Sequence, residues 1–211
     1  TIVSNKAHNF LCRRELKKLG RGASYILEEV GRNTAPAILM AAFNSSKDDI
    51  LVIMPADHWI EDSSPFIQII QTASKIAASE DRWVTFGIKP TEPQTGYGYI
   101  QAVGKGEKRA VVSFTEKPDL KTAKSYLAEG NYYWNTGIFV VSAQKCIKSF
   151  QQHQPELYQA AVTCWENKDI NNDEITLRKA HLEKIPSISV DYAILEKETN
   201  IAMVPFEGHW S

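Results

Sequence analysis

The chain has 211 residues, of which 43% are hydrophobic and 23% charged, enough apolar surface for a full-sized core and too much for a disordered segment. Lys and Arg number 24 against 25 Asp and Glu, a net charge of -1. That balance argues against a dedicated nucleic-acid or anionic-membrane surface, and no apolar run approaches the ~20 residues of a membrane-spanning helix.

Ile2 and Val3 read as the end of a strand. A helix over His8–Leu19 puts Cys12, Leu16 and Leu19 at i, i+4 and i+7, a stripe expected to face the core. Tyr25–Leu27 reads as a strand. Thr34 is placed to cap a helix over Ala35–Phe43, with Pro36 in its first turn. The run Ile50–Met54 is apolar at every position, the pattern of a central parallel strand covered on both faces. Ser64 and Pro65 read as cap and first residue of a helix over Pro65–Ala78. Strands are expected over Trp83–Ile88, Tyr97–Val103 and Ala110–Phe114, the last two with no helix between them. Asp119 caps a helix over Leu120–Glu129. A strand over Ile138–Ser142, helices over Pro155–Glu166 and Val190–Glu198, and a strand over Ile201–Val204 complete the series. Strands alternating with helices predict an α/β fold, Rossmann-like, with a mixed, mostly parallel sheet flanked by helices. No linker or repeat interrupts residues 1–211, so one domain is expected. The three cysteines, Cys12, Cys146 and Cys164, are far apart with no CxxC pair, which predicts reduced, packed thiols in a cytoplasmic protein.

Ligands of open α/β sheets bind beyond the carboxyl ends of the strands. Asp57, just past Ile50–Met54 in Pro55-Ala56-Asp57-His58, is placed to hold a hard divalent cation; a turn or cap carboxylate fits equally well. His58 is expected to orient this loop. Arg32, Asn33, Thr34 and Ala35 lead into a helix N-terminus, whose N–H groups favour anions, although a capped helix start explains them as well. Gly98, in Thr95-Gly96-Tyr97-Gly98-Tyr99, lets a ligand approach the backbone or makes a bulge. Glu116 can accept from sugar hydroxyls and Lys117 can meet a phosphate, or the two form a solvated pair before Pro118. Asn135, beside apolar strand residues, needs a partner if buried. Asp191 stands in the first turn of its helix. There is no GxxxxGK[ST], HExxH or GxSxG, and no strand-borne GxGxxG.

Taken in order, GRNTAPAI, MPADHWI, FGIKPTEPQTGYGYI, FTEKP, YYWNTGIF, SISVDYAILEK and HWS resemble the mannose-1-phosphate guanylyltransferase family (GDP-mannose pyrophosphorylases), bacterial type, including the form fused to phosphomannose isomerase. The resemblance runs from about Ile26 to Ser211. It implies a sugar nucleotidyltransferase fold and a Mg²⁺-dependent, in-line attack of α-D-mannose 1-phosphate on GTP, giving GDP-mannose and pyrophosphate. It implies Asp57 as the Mg²⁺ ligand and, with Lys117, as a catalytic residue. Arg32, Asn33, Thr34 and Ala35 would lie along the nucleotide. Gly98, Glu116, Lys117, Asn135 and Asp191 would serve the sugar phosphate.

The family pattern also contains a Gly-rich GGxGxRLWPLSR segment with its first strand, and a WSDVGSW segment carrying a second metal carboxylate. Neither is in this sequence. The expectation is therefore a piece of a nucleotidyltransferase domain that is inactive by itself. An exposed sheet edge would invite a homo-oligomer, a dimer being simplest. Two alternatives stay open: a GDP-mannose-binding regulatory paralogue, and a nucleotidyltransferase for another sugar or base.

Overall fold

A computed structural model describes residues 1–61, 63–208 and 210; His209 and Ser211 of the HWS motif lie outside the described residues. The chain divides into two compact units, one formed by residues 1–46 and 147–193, the other by residues 47–146 and 194–211.

The first unit is built on a four-stranded sheet. Its strands are β1 (Ile2–Asn5), β2 (Tyr25–Glu28), β8 (Asp169–Asn171) and β9 (Glu174–Leu177), in the order β1-β2-β9-β8. β1 and β9 both run parallel to β2, while β8 and β9 form an antiparallel hairpin. All four residues of β2 are buried, as the central strand of a covered sheet requires. Helix α1 (Asn9–Lys18) follows β1, and α2 (Thr34–Phe43) follows β2. α6 (Pro155–Glu166) packs on α2, where the Phe43 ring meets Tyr158 and Trp165, each 5.9 Å away. α1 departs from expectation: none of its residues is buried and Leu19 is 72% exposed. Four of its ten residues are Arg or Lys, and its stripe only half-covers Cys12 and Leu16.

The second unit holds β3 (Ile50–Ile53), α3 (Ser63–Glu80), β4 (Trp83–Ile88), β5 (Tyr99–Val103), β6 (Arg109–Thr115), α4 (Leu120–Glu129), β7 (Tyr132–Ser142) and β10 (Ile201–Pro205). Its strands run in the order β3-β7-β4-β10-β6-β5, and β5 also pairs with β7. The strands β7-β4-β10-β6-β5 therefore close into a ring, with β3 attached outside it. Only β4 and β10 are parallel neighbours; the other pairings are antiparallel. A mixed sheet was expected and is present, but "mostly parallel" is wrong: among the described residues five of the six strand pairings in this unit are antiparallel, and apart from the β5–β6 hairpin the paired strands are not consecutive in the chain. The hairpin of β5 and β6 is the expected strand pair without a helix.

Ile50–Ile53 is likewise not a central parallel strand. It is an edge strand, antiparallel to β7, with Val52 39% exposed. Covered strands and half-covered edge strands with apolar outer residues read alike in a run this short. The core of this unit joins Phe66, Ala73, Ile76 and Ala77 of α3 to Val84, Phe86, Ile138, Val140, Ala202, Val204 and Phe206.

Three local starts differ from expectation. Asn33, not Thr34, caps α2, because its side-chain oxygen accepts from Thr34 N at 2.8 Å; Thr34 Oγ1 is occupied instead by the N–H of Val190. α3 begins at Ser63, so Ser64 lies inside its first turn. The segment expected as an α-helix from Val190 is a single π-turn, Asp191–Leu195. Asp119 does cap α4, accepting from Thr122 N at 2.7 Å, and Gly130 ends it in the left-handed conformation that glycine favours. α5 (Ala143–His153) and α7 (Lys179–Leu182) complete the helices. All three cysteines are free thiols; Cys146 and Cys164 are buried, and burial pushes Cys164 up to about 11.

Candidate active site

In the first unit, β2 ends at Glu28 and the chain turns through Gly31 and Arg32 into α2. Arg32 Nε donates to the carbonyl of Ile185 at 2.7 Å, which fixes the plane of the guanidinium. Asn33 has a φ of 72°, a left-handed backbone that non-glycine residues adopt at a cost and that clusters at ligand sites. The helix start is not an open anion cradle, however. Thr34 N donates to Asn33 and Ala35 N to the carbonyl of Ile188, and Pro36 has no N–H to give. What this turn presents is side chains rather than free backbone donors. Asp191, in the same unit, begins the π-turn and is half-buried; such wide turns recur at functional positions.

Glu28 was not anticipated. It is 7% exposed, and its Oε1 has no hydrogen-bond partner among the described residues. Burial pushes its carboxyl up to about 7. An acid closing a short strand looks like an ordinary solvated end, so only the surrounding fold shows it.

In the second unit, three expected residues come together. Asn135 N donates to Gly98 O at 2.8 Å. A Cβ on Gly98 would stand 2.5 Å from Glu116 Oε2 and 3.4 Å from Asn135 Cβ. Gly98, Glu116 and Asn135 therefore share one small space, and glycine is needed to keep it open. Asn135 is buried in β7. Its side-chain oxygen accepts from Thr85 Oγ1 at 3.2 Å and from Gly137 N at 3.2 Å, which fixes the direction of the amide. Thr85, a polar residue inside the apolar run of β4, was the visible signal for this partner.

Glu116 is largely buried, and Lys117 is exposed. Lys117 has a φ of 46°. This left-handed turn brings its Nζ back to 3.1 Å from Glu116 Oε1, so neighbouring side chains that an extended strand would send to opposite faces meet on one side.

Asp57 lies exposed on the turn directly after β3. Among the described residues, no three His, Cys, Asp or Glu side chains gather as a metal site would need. A lone carboxylate still suits Mg²⁺, which commonly takes one or two carboxylates and fills its octahedron with phosphate oxygens and water. The neighbouring turn is tied down. His58 Nδ1 accepts from Trp210 Nε1 at 3.2 Å, and the two rings meet edge to face. Tyr97 in turn meets Trp210 and Trp134, at 5.3 and 5.4 Å.

A family model described as "Nucleotidyl transferase" matches residues 1–180. The "Xanthan biosynthesis protein XanB" of Xanthomonas campestris pv. campestris (strain B100) is 41% identical over 214 residues, covering 100% of this chain and 46% of that protein. The "Mannose-1-phosphate guanylyltransferase" of Salmonella montevideo is 39% identical over 220 residues, again covering 100% of this chain and 46% of that protein. The chain thus spans about half the length of these relatives. A crystal structure of a protein named mannose-6-phosphate isomerase, from Helicobacter pylori, superposes with a TM-score of 0.92 at 29% identity, covering 100% of this chain and 83% of that one.

Proposed function

Since the chain belongs to the nucleotidyl transferase family, we propose that the protein carrying it makes GDP-mannose and pyrophosphate from GTP and α-D-mannose 1-phosphate. The observation that supports this reading most is the shared space of Gly98, Glu116 and Asn135. It offers a largely buried carboxylate and a fixed amide within reach of one ligand, the pairing that sugar hydroxyls require. Lys117, exposed beside it, supplies the charge for the sugar phosphate. Arg32 and Asn33 lie along the nucleotide in this reading.

Asp57 would hold Mg²⁺. When bound, that ion neutralises phosphate charge and aligns the groups for in-line displacement. The chain's own residues bind and orient the partners; no covalent intermediate on the protein is required. No helix among the described residues is long and apolar enough to cross a membrane, and a cytoplasmic location fits reduced thiols and nucleotide substrates.

The test is pyrophosphate release from GTP and mannose 1-phosphate, with ATP, UTP and dTTP as competitors and with mannose 6-phosphate isomerisation measured in parallel. GTP-selective release that EDTA abolishes is expected. Selectivity for another nucleotide, or isomerisation alone, overturns the reading. Calorimetry of the 211-residue chain with GDP-mannose, against UDP-glucose, measures how much of the sugar site these residues build alone.

A further inference from the structure

We propose that Trp210 is a positioning residue for the carboxylate of Asp57. The inference rests on the reading of Asp57 as the Mg²⁺ ligand. Asp57 itself sits exposed on a turn. Its neighbour His58 is held from two sides. On one side lies Gly137 of β7, where a Cβ would stand 3.7 Å from His58 Cε1 and 3.6 Å from Pro55 Cγ. The turn therefore lies about one side-chain atom away from the backbone of β7, at a φ of 69° that keeps the position glycine-like. On the other side lies Trp210, whose indole N–H donates to His58 Nδ1 at 3.2 Å and whose ring stands edge-on to the imidazole at 5.2 Å.

Trp210 is itself fixed. It forms an antiparallel bridge with Ile60, two residues beyond His58, and its ring packs at 5.3 Å against Tyr97. Tyr97 is next to Gly98 in sequence, and its ring meets Trp134, next to Asn135. One aromatic series, His58–Trp210–Tyr97–Trp134, thus joins the turn that carries Asp57 to the two segments that carry the sugar residues. A carboxylate must meet its metal within a few tenths of an ångström, and residues behind it commonly set that geometry. Trp210 acts through His58, and it touches no reacting atom.

The experiment measures Mn²⁺–GTP bound to the protein by water-proton relaxation, a readout independent of turnover. Metal-free GTP binding and thermal stability serve as controls. W210F keeps an apolar ring and removes the N–H; H58F removes the acceptor from the other side. Each is expected to weaken Mn²⁺–GTP binding about 3- to 10-fold, the range of one lost hydrogen bond, with metal-free GTP binding unchanged. The double variant is expected to be no weaker than either single one, because both remove the same contact. D57N separates the two ideas. If D57N weakens binding while W210F and H58F do not, or if W210F lowers only thermal stability, the role of Trp210 is overturned and Asp57 stands. If the unsubstituted protein does not bind Mn²⁺–GTP, or D57N binds it normally, the Asp57 reading falls and this proposal with it.

Discussion

A methyl group added at Gly98 would stand 2.5 Å from Glu116 Oε2, the far end of a side chain that can swing away. G98A is therefore expected to change stability by less than about 1 kcal/mol, while sugar-phosphate affinity falls about tenfold because Glu116 is displaced; calorimetry beside a melt separates the two effects. Glu28 gives the opposite split, a stability effect with a pH signature. Its carboxyl is pushed up to about 7 by burial, whereas an unfolded glutamate titrates near ~4.3. Between those values the folded state holds the proton that the unfolded state has lost. Stability is thus greatest below the unfolded value, falls as pH rises through the window, and stays reduced above it. The shift corresponds to about 4 kcal/mol. E28Q is expected to melt higher than the unsubstituted protein above about pH 8, and level with it near the unfolded glutamate value. A melt series that runs parallel for both proteins would refute this. Gly98, Glu116 and Asn135 stood out in the sequence only with an ordinary structural reading beside each, and it was the order of the motifs carrying them, the family resemblance, that grouped them. Glu28 and Trp210 did not stand out: Glu28 is notable for a burial that only the folded unit creates, and Trp210 for His58, more than a hundred residues away.

Among the elements, β7 decides most. Its eleven residues pair with β3, β4 and β5, so it sets both the ring of strands and the position of Asn135. Its register with β4 shifts between Thr85 and Gly87. At that shift a Cβ on Gly87 would overlap the sulfur of Met203 and come within 2.8 Å of Tyr133 Cβ. G87A is accordingly expected to cost about 1–3 kcal/mol by overpacking, seen as a lower denaturant midpoint, and M203A is expected to recover part of the loss. The sequence pattern located Leu120–Glu129 and Pro155–Glu166 to the residue, since Asp119 caps the first and Pro155 opens the second. It marked only the second half of β7, because Trp134-Asn135-Thr136-Gly137 breaks the apolar run while the backbone pairing continues through it. It missed α5, whose apolar residues Cys146, Ile147 and Phe150 are spaced for a helix but follow a strand with no break, and the short strands β8 and β9, which are mostly polar.

At the scale of the whole molecule, the strand-and-helix alternation announced α/β layering, yet nothing local announced two units. The chain leaves the first unit after residue 46 and returns at residue 147, inside a continuous helix, Ala143–His153. Composition shifts and linkers are the usual marks of a boundary, and a helix running through one leaves neither. The order of folding follows from this arrangement. β4, β5, β6 and β7 lie within one uninterrupted stretch, whereas β2 pairs with β9 at Tyr25 and Glu174. Contacts between distant residues form slowly. Pulse-labelled hydrogen exchange during refolding is therefore expected to protect the amides of Tyr99–Val103 and Tyr132–Ser142 before those of Tyr25–Glu28; simultaneous protection would contradict this. The same separation matters on the ribosome. β2 emerges about 150 residues ahead of β9, which at ordinary synthesis rates is a wait of roughly 8 to 30 s. Through that interval Tyr25, Ile26 and Leu27, all buried in the finished protein, lack the strand that will cover one edge of them. Until β9 emerges, this stretch of newly made protein is thus open to aggregation.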